Sequence, residues 1–398
     1  MFWASRKHIC TMLAVLLGWA FEAFDFMLFS MLAIPIMKSL GIERVEFGLA
    51  ISIGLLGTVV GGMLIAPLAD NYGRVKVLLL SLLLYVLATL GIALSYSYHQ
   101  LLLFRFLIGL GLGSEWSTGM TLVAETIPRQ RRGLAIGIVQ SGWPLGVLFS
   151  IIDTVAIYPL FGWRVAFAIA ALPAFLVLFM TTRLNESELW LTKNVEKKDS
   201  KISILKLFAK PYLPKVLIGL TIDVLAMFSY WMFWSWIPVF LSQERGFTVV
   251  KSAEWLASTQ IGAFLGYISY GYLQDKLGRR PTWTFFTAVE ATMIILYTLF
   301  VKEENVLLAL GFFLGYFTGY WSGFGVILSE LFPTEIRSTA LGFIFNTGRG
   351  INFISPIIVA ILSTYWGWSV ALSTAALAAY TTSILIWLFP ETKAKQLE

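Results

Sequence analysis

Charge is scarce in this sequence. Asp, Glu, Lys and Arg make up 13% of its 398 residues, about half the share of an ordinary soluble domain, so the chain reads as a membrane protein before any segment is examined. Cysteine is scarcer still: the single Cys10 excludes an internal disulfide and any multi-thiolate metal centre. The two histidines, His8 and His99, lie near the ends of apolar segments and offer no metal cluster. No Walker sequence, nucleotide loop or nucleophile triad is present, which argues against ATP drive, against an enzyme and against a bound cofactor. A cleavable signal peptide is also not expected, because Arg6 and Lys7 precede an apolar run that is too long and has no clear cleavage site.

What the chain has in quantity is oil-soluble sequence. Hydrophobic residues reach 58%, with 15 Trp, 15 Tyr and 31 Phe. Stretches of about 20 apolar residues, enough to cross a bilayer, recur twelve times, near 12–34, 46–68, 76–96, 100–123, 133–157, 163–182, 214–241, 253–273, 282–301, 305–329, 338–363 and 367–389. This predicts an all-α polytopic membrane protein. The connections are short except for the polar, Lys-rich 183–213, which divides the chain into 1–182 and 214–398. Lys and Arg number 21 on one side of the twelve spans and 6 on the other, with Arg105 and Arg349 inside spans. The positive-inside rule then makes both termini and the central loop cytoplasmic. The net charge of +6 is a topology signal, with anionic membrane lipid as its expected partner and no role in nucleic-acid binding.

The two halves repeat at a fixed offset. "ADNYGRVK" at 69–76 aligns with "QDKLGRRP" at 274–281, and "ETIPRQRRGLAIG" at 125–137 with "ELFPTEIRSTALG" at 330–342, each 205 positions apart. Gly41/Gly246, Gly162-Trp163/Gly367-Trp368 and Glu186/Glu391 keep the same register. The polar loops have nothing apolar to force such agreement, so the chain reads as two six-helix bundles in parallel repeat, with a site between them at the midplane. The loop pattern G-x-x-x-D-x-x-G-R-[RK], complete in "GYLQDKLGRR", resembles the signature of the major facilitator superfamily. The first copy departs from it at Ala66, Asn71 and Val75. The resemblance implies that Asp70, Arg74, Glu125, Arg132, Asp275, Arg279, Glu330 and Arg337 form gate latches that bias a conformational equilibrium without touching substrate.

Eight ionisable residues fall inside spans: Glu22, Asp25, Arg105, Glu115, Asp153, Asp223, Glu290 and Arg349. Such residues are rare in membranes and line cavities or pair with one another. Asp25 and Arg105 differ in depth by roughly 6 Å, within reach of an Arg side chain. An acid alternately paired with and released from a guanidinium can load and unload a proton; the alternative is a permanent tie between the first and fourth spans. The run R-x-x-x-G-x-G-x-G from Arg105 resembles the superfamily's fourth-helix motif, whose arginine partners a first-helix acid. "FEAFDFMLF" and "GSEWSTGMTLVAETIP" resemble segments of metabolite:proton and sialate:proton symporters, which implies proton-coupling roles for Asp25, Glu22, Arg105 and Glu115.

Arg349, flanked by Asn346 and Asn352 on one helical face, offers a planar fork for a carboxylate. Pairing with Asp223 or with an acid of another helix is its alternative. Tyr230 and Trp234 in "FSYWMFWSW", and Tyr316 and Tyr320 in "GYFTGYWSGF", offer stacking faces and hydroxyl donors, with plain packing as the alternative. Asp153 and Glu290 read as structural, and Asp223 as an open candidate for proton binding. These readings combine into a functional monomer in the cell membrane that symports a small organic anion with protons by alternating access. A neutral-sugar porter is the runner-up, suggested by "NESELWL" and "PETKAKQLE".

Overall fold

The computed structural model describes residues 5–195 and 204–397; part of the expected central loop, 196–203, lies outside the described residues. Every regular element among the described residues is helical. Eight stretches are long and apolar enough to cross a membrane. Two of these, Arg132–Thr181 and Arg337–Leu388, are each two helices folded back at a glycine. Tyr98–Thr126 and Val249–Leu277, 29 residues each, add two more crossings of roughly 43 Å. Among the described residues the twelve spanning helices are α1 Arg6–Met31, α2 Arg44–Tyr72, α3 Arg74–Ala93, α4 Tyr98–Thr126, α5 132–161, α6 163–181, α7 Leu213–Arg245, α8 Val249–Leu277, α9 Arg279–Phe300, α10 Glu304–Leu331, α11 337–366 and α12 368–388.

The backbone explains part of the sequence repeat. The glycines at positive φ are Gly41, Gly73, Gly162, Gly246, Gly278 and Gly367, which are three pairs 205 residues apart. Gly162 (φ 78°, ψ 170°) and Gly367 (φ 76°, ψ 164°) turn α5 into α6 and α11 into α12, in a region of backbone space essentially closed to other residues. Gly73 and Gly278 start α3 and α9. Beside them Glu186 accepts from Val75 N–H (3.0 Å), and Glu391 from Arg279 and Arg280 N–H (2.9 and 3.2 Å). Each carboxylate thus satisfies helix N-terminal donors that have no intrahelical partner.

Within the first half α2 and α4 touch backbone to backbone, and a Cβ on either Gly57 or Gly109 would strike the other helix's main chain. Small residues at such crossings permit the close approach on which helix packing in lipid depends. The halves meet along α2–α11 and α5–α8. The Lys7–Glu188 ion pair (2.7 Å) and the bond from Arg132 to the Lys395 carbonyl (3.1 Å) put the start of α1, the segment after α6 and the C-terminal tail on one side, the terminus side.

Candidate functional site

On the terminus side the eight predicted latch residues form two buried clusters related by pseudo-symmetry. Within the first half Arg74 grips Glu125 with Nε and Nη2 (3.2 and 2.9 Å), and within the second Arg279 grips Glu330 in the same way (3.0 and 2.9 Å). Each glutamate also takes an arginine from the opposite half: Arg132 reaches Glu330 (2.7 Å), and Arg337 reaches Glu125. Asp70 crosses the interface to accept from Ser338 N–H, Thr339 N–H and the Thr339 hydroxyl (3.1, 2.8 and 2.7 Å). Asp275 accepts from Gly133 and Leu134 N–H (both 2.9 Å). These aspartates sit at the first turns of α11 and α5, where free N–H groups and the helix dipole favour an anion. Below the cleft, Asn346 adds a bond across the interface to the Gly113 carbonyl (2.7 Å). The halves are thus fastened together on the terminus side.

Toward the opposite side they separate around a cleft. It holds about 320 Å³ and is lined by Phe26, Ser52, Trp143, Trp231, Arg349 and Asn352 among others, within the size range of small-molecule sites. Beneath it an inner void of about 40 Å³ lies among Trp19, Gln140, Trp143, Tyr230, Trp321 and Arg349. The floor is aromatic: Trp116 stacks on Phe345 at 3.8 Å, and Trp19 lies 5.0 Å from Trp143. Gln140 ties the floor together, accepting from Trp116 Nε1 (2.9 Å) and donating to the Trp321 carbonyl (3.3 Å).

Arg349 lines both spaces and is the cationic side chain among their lining residues. Its Nη1 donates to Glu22 Oε1 at 2.8 Å, an ion pair between α11 and α1 and therefore between halves. Glu22 Oε2 is buried without a partner. The Glu115 carboxylate lies on α4 against Gly18 of α1, so that a Cβ at Gly18 would overlap it. Asp25 and Arg105 meet as the depth argument requires, at 3.3 Å. Thr89 also donates to Asp25 (3.3 Å), and the guanidinium rests on the Phe29 ring at 4.1 Å. Neither residue lines the cleft, so this pair belongs to the bundle wall.

Several sequence expectations need correction. Asn346 is not at the cleft, because its amide bonds the backbone of α4 and of its own helix. Tyr320 is 1% exposed and packs on Trp283 of α9 at 5.3 Å. Tyr316 stacks on Phe286 of α9, and Trp234 packs on Trp255 of α8. These four are packing residues here, whereas Tyr230 and Asn352 do line the spaces around Arg349. The alternative pairing of Arg349 with Asp223 is not the one formed; Glu22 holds it. Trp19, Gln140, Trp143, Trp231, Trp321 and Phe345 also line these spaces; of them, Trp143 is marked in the sequence, where it separates Gly142 from Pro144.

The Major Facilitator Superfamily sequence model matches residues 14–269 and 225–398. The chain belongs to the Major Facilitator Superfamily. Among relatives of this superfamily member, a protein named as a probable 4-methylmuconolactone transporter of Cupriavidus pinatubonensis is 32% identical, covering 96% of this chain and 90% of that one. A cis,cis-muconate transport protein of Acinetobacter baylyi is 30% identical, over 89% and 87% of the two chains. Among solved structures, a proton:xylose symporter of the superfamily superposes with a TM-score of 0.81 over 98% of both chains at 18% identity, a likeness of fold. The superfamily chain is accordingly an integral membrane transporter and not an enzyme.

Proposed function

We propose that the protein is a proton-coupled symporter that imports a small carboxylate metabolite by alternating access. The observation that carries this reading is the Arg349–Glu22 pair at the foot of the cleft. A substrate carboxylate entering the cleft competes with Glu22 for the guanidinium fork. Once displaced, Glu22 is a buried carboxylate without a cation, a state tolerated only when a proton neutralises it. One anion therefore brings one proton into the site. Trp143, Trp231, Phe26 and Tyr230 supply flat walls suited to an unsaturated or aromatic acid, and Asn352 supplies an amide beside the fork. The names of the muconate and muconolactone relatives support the same substrate class.

In this reading Asp25, with Arg105, is a further exchangeable pair in the proton path, and Glu115, against Gly18 one helical turn from Glu22, is an acid beside Glu22. The eight latch charges act as the gate, and the excess of Lys and Arg on the terminus side makes that side cytoplasmic. The cleft then faces outward in the cell membrane. The test is reconstitution in liposomes with a pH dye inside, challenged with cis,cis-muconate and with xylose. Internal acidification with muconate, lost in Glu22→Gln, is the expected result. Labelled xylose uptake with no proton signal would overturn the reading in favour of a sugar porter.

A further inference from the structure

Asp223, on α7, is 0% exposed, and neither of its carboxylate oxygens has a hydrogen-bond partner among the described residues. It lies against α11 at Gly348, where a Cβ would overlap the carboxyl group. The residue after that glycine is Arg349. A carboxylate ion this deep with no donor would cost more than a fold tolerates. With Arg349 turned toward Glu22, Asp223 is consistent with the structure only as the neutral acid. Glycine at 348 leaves the carboxyl group directly beside the backbone that carries the guanidinium.

We propose that Asp223 is a second proton carrier that exchanges with Glu22 as the partner of Arg349, so that two protons accompany each substrate. The proposal rests on the symport reading above and adds to it a residue and a stoichiometry. Arg349 and Asp223 belong to the same half, whereas Glu22 belongs to the other. Opening the terminus-side gate draws the halves apart there, removes Glu22 from Arg349 and leaves Asp223 as the acid that moves with the guanidinium. The Asp223 O–H bond then breaks, its proton passes to water entering from the terminus side, and the carboxylate pairs with Arg349. Glu22, wetted by the same water, releases the proton it took up with the substrate. On return Arg349 goes back to Glu22, and Asp223 regains a proton from the cleft.

The surroundings permit this exchange, and among the described residues they offer no competing partner. Of the helices packed on α7, α12 carries no Asp, Glu, Lys, Arg or His over 375–385, nor does α11 over 355–366. The charges on other adjoining segments are Arg337 in the gate network, Lys206 in the turn before α7, and Glu244 and Arg245 at the far end of α7 itself. Lys215, on the first turn of α7, donates to the Leu331 carbonyl.

Two readouts test the proposal, and the first does not depend on transport. Infrared difference spectra of wild type against Asp223→Asn should show a protonated-carboxyl band that the variant lacks; identical spectra would overturn the proposal. In liposomes loaded with a pH dye, the proton-to-muconate ratio should halve, from two to one, in Asp223→Asn, while muconate counterflow persists. An unchanged ratio would make Asp223 a fixed buried acid and also overturn it. Should Asp223→Asn not be recoverable, Asp223→Ser reads the same ratio. A wild type that moves no acid would sink the symport reading, and the infrared band would still report on Asp223.

Discussion

The two gate aspartates are repeat mates, but they are not equally tied, and the difference is measurable. Asp70 takes three bonds across the interface, from two backbone N–H groups and the Thr339 hydroxyl. Asp275 takes two, because Leu134 stands where the other half has Thr339. An alanine removes every accepting oxygen. Asp70→Ala thus loses three cross-interface bonds and Asp275→Ala two, at about 1.5–3 kcal/mol for each bond to a charged group. At the lower end of that range this is roughly 4.5 against 3 kcal/mol, or about a thousandfold against a hundredfold in favour of the open gate. The ion pairs with Arg74 and Arg279 lie within a half, so their loss does not discriminate open from closed.

Ile136 reports the opening. It is 0% exposed on α5 and faces Gly325 of α10 in the other half. With the exposed Cys10 changed to Ser, a cysteine placed by Ile136→Cys is reached by an impermeant maleimide only when the terminus side opens. Labelling should accelerate in both variants, and about tenfold more in Asp70→Ala than in Asp275→Ala, the equivalent of the one extra bond. Equal rates, or the reverse order, would refute the argument that these bonds hold the gate.

Three further outcomes are expected. Arg349→Lys keeps the charge but loses the fork, so KM for cis,cis-muconate should rise about 10- to 100-fold, the equivalent of one charged hydrogen bond; an unchanged KM would leave Arg349 a structural tie to Glu22. Asn346→Ala removes the 2.7 Å bond to the Gly113 carbonyl, so labelling at Ile136→Cys should quicken by about two- to tenfold with no change in KM, whereas a selective rise in KM would restore Asn346 to the substrate site. Gly162→Ala and Gly367→Ala should each cost about 1–3 kcal/mol of stability, read as a lowered Tm, and by similar amounts since their backbone angles nearly coincide; wild-type stability in either would contradict the strain argument.

Which features could be read from the sequence follows from what each depends on. The gate was legible because its parts are local: an acid in the last turn of one helix, an arginine four residues on at the start of the next, and a glycine between them whose positive φ admits no substitute, all duplicated at one offset. Asp25–Arg105 was legible because both partners lie in one half, where helix depth alone brings them together. Glu22–Arg349 was not, because it spans the halves, whose relative placement helix depth within one half does not set. The tyrosines of α10 were misplaced for a different reason. Thr318–Tyr320 forms a 3-10 turn, which advances about 120° per residue instead of 100° and so rotates the helix face. Trp321 therefore lines the inner void while Tyr320 turns to Trp283, and an all-round apolar helix has no polar stripe to reveal the shift.

The same contrast explains why the repeat is preserved in the gate and lost in the site. In the proposed alternating access, rocking two halves about one axis requires matched latches on both, and Asp70, Arg74, Glu125 and Arg132 keep their mates. A small acid has no such symmetry. Its carboxylate needs a cation at one place and flat walls elsewhere, so Glu22 faces Met227 across the repeat, Asp25 faces Tyr230, and Arg349 faces Pro144. The positions where the 205-residue register fails inside the membrane are therefore where the site is to be sought, and Asp223, whose mate is Gly18, is among them.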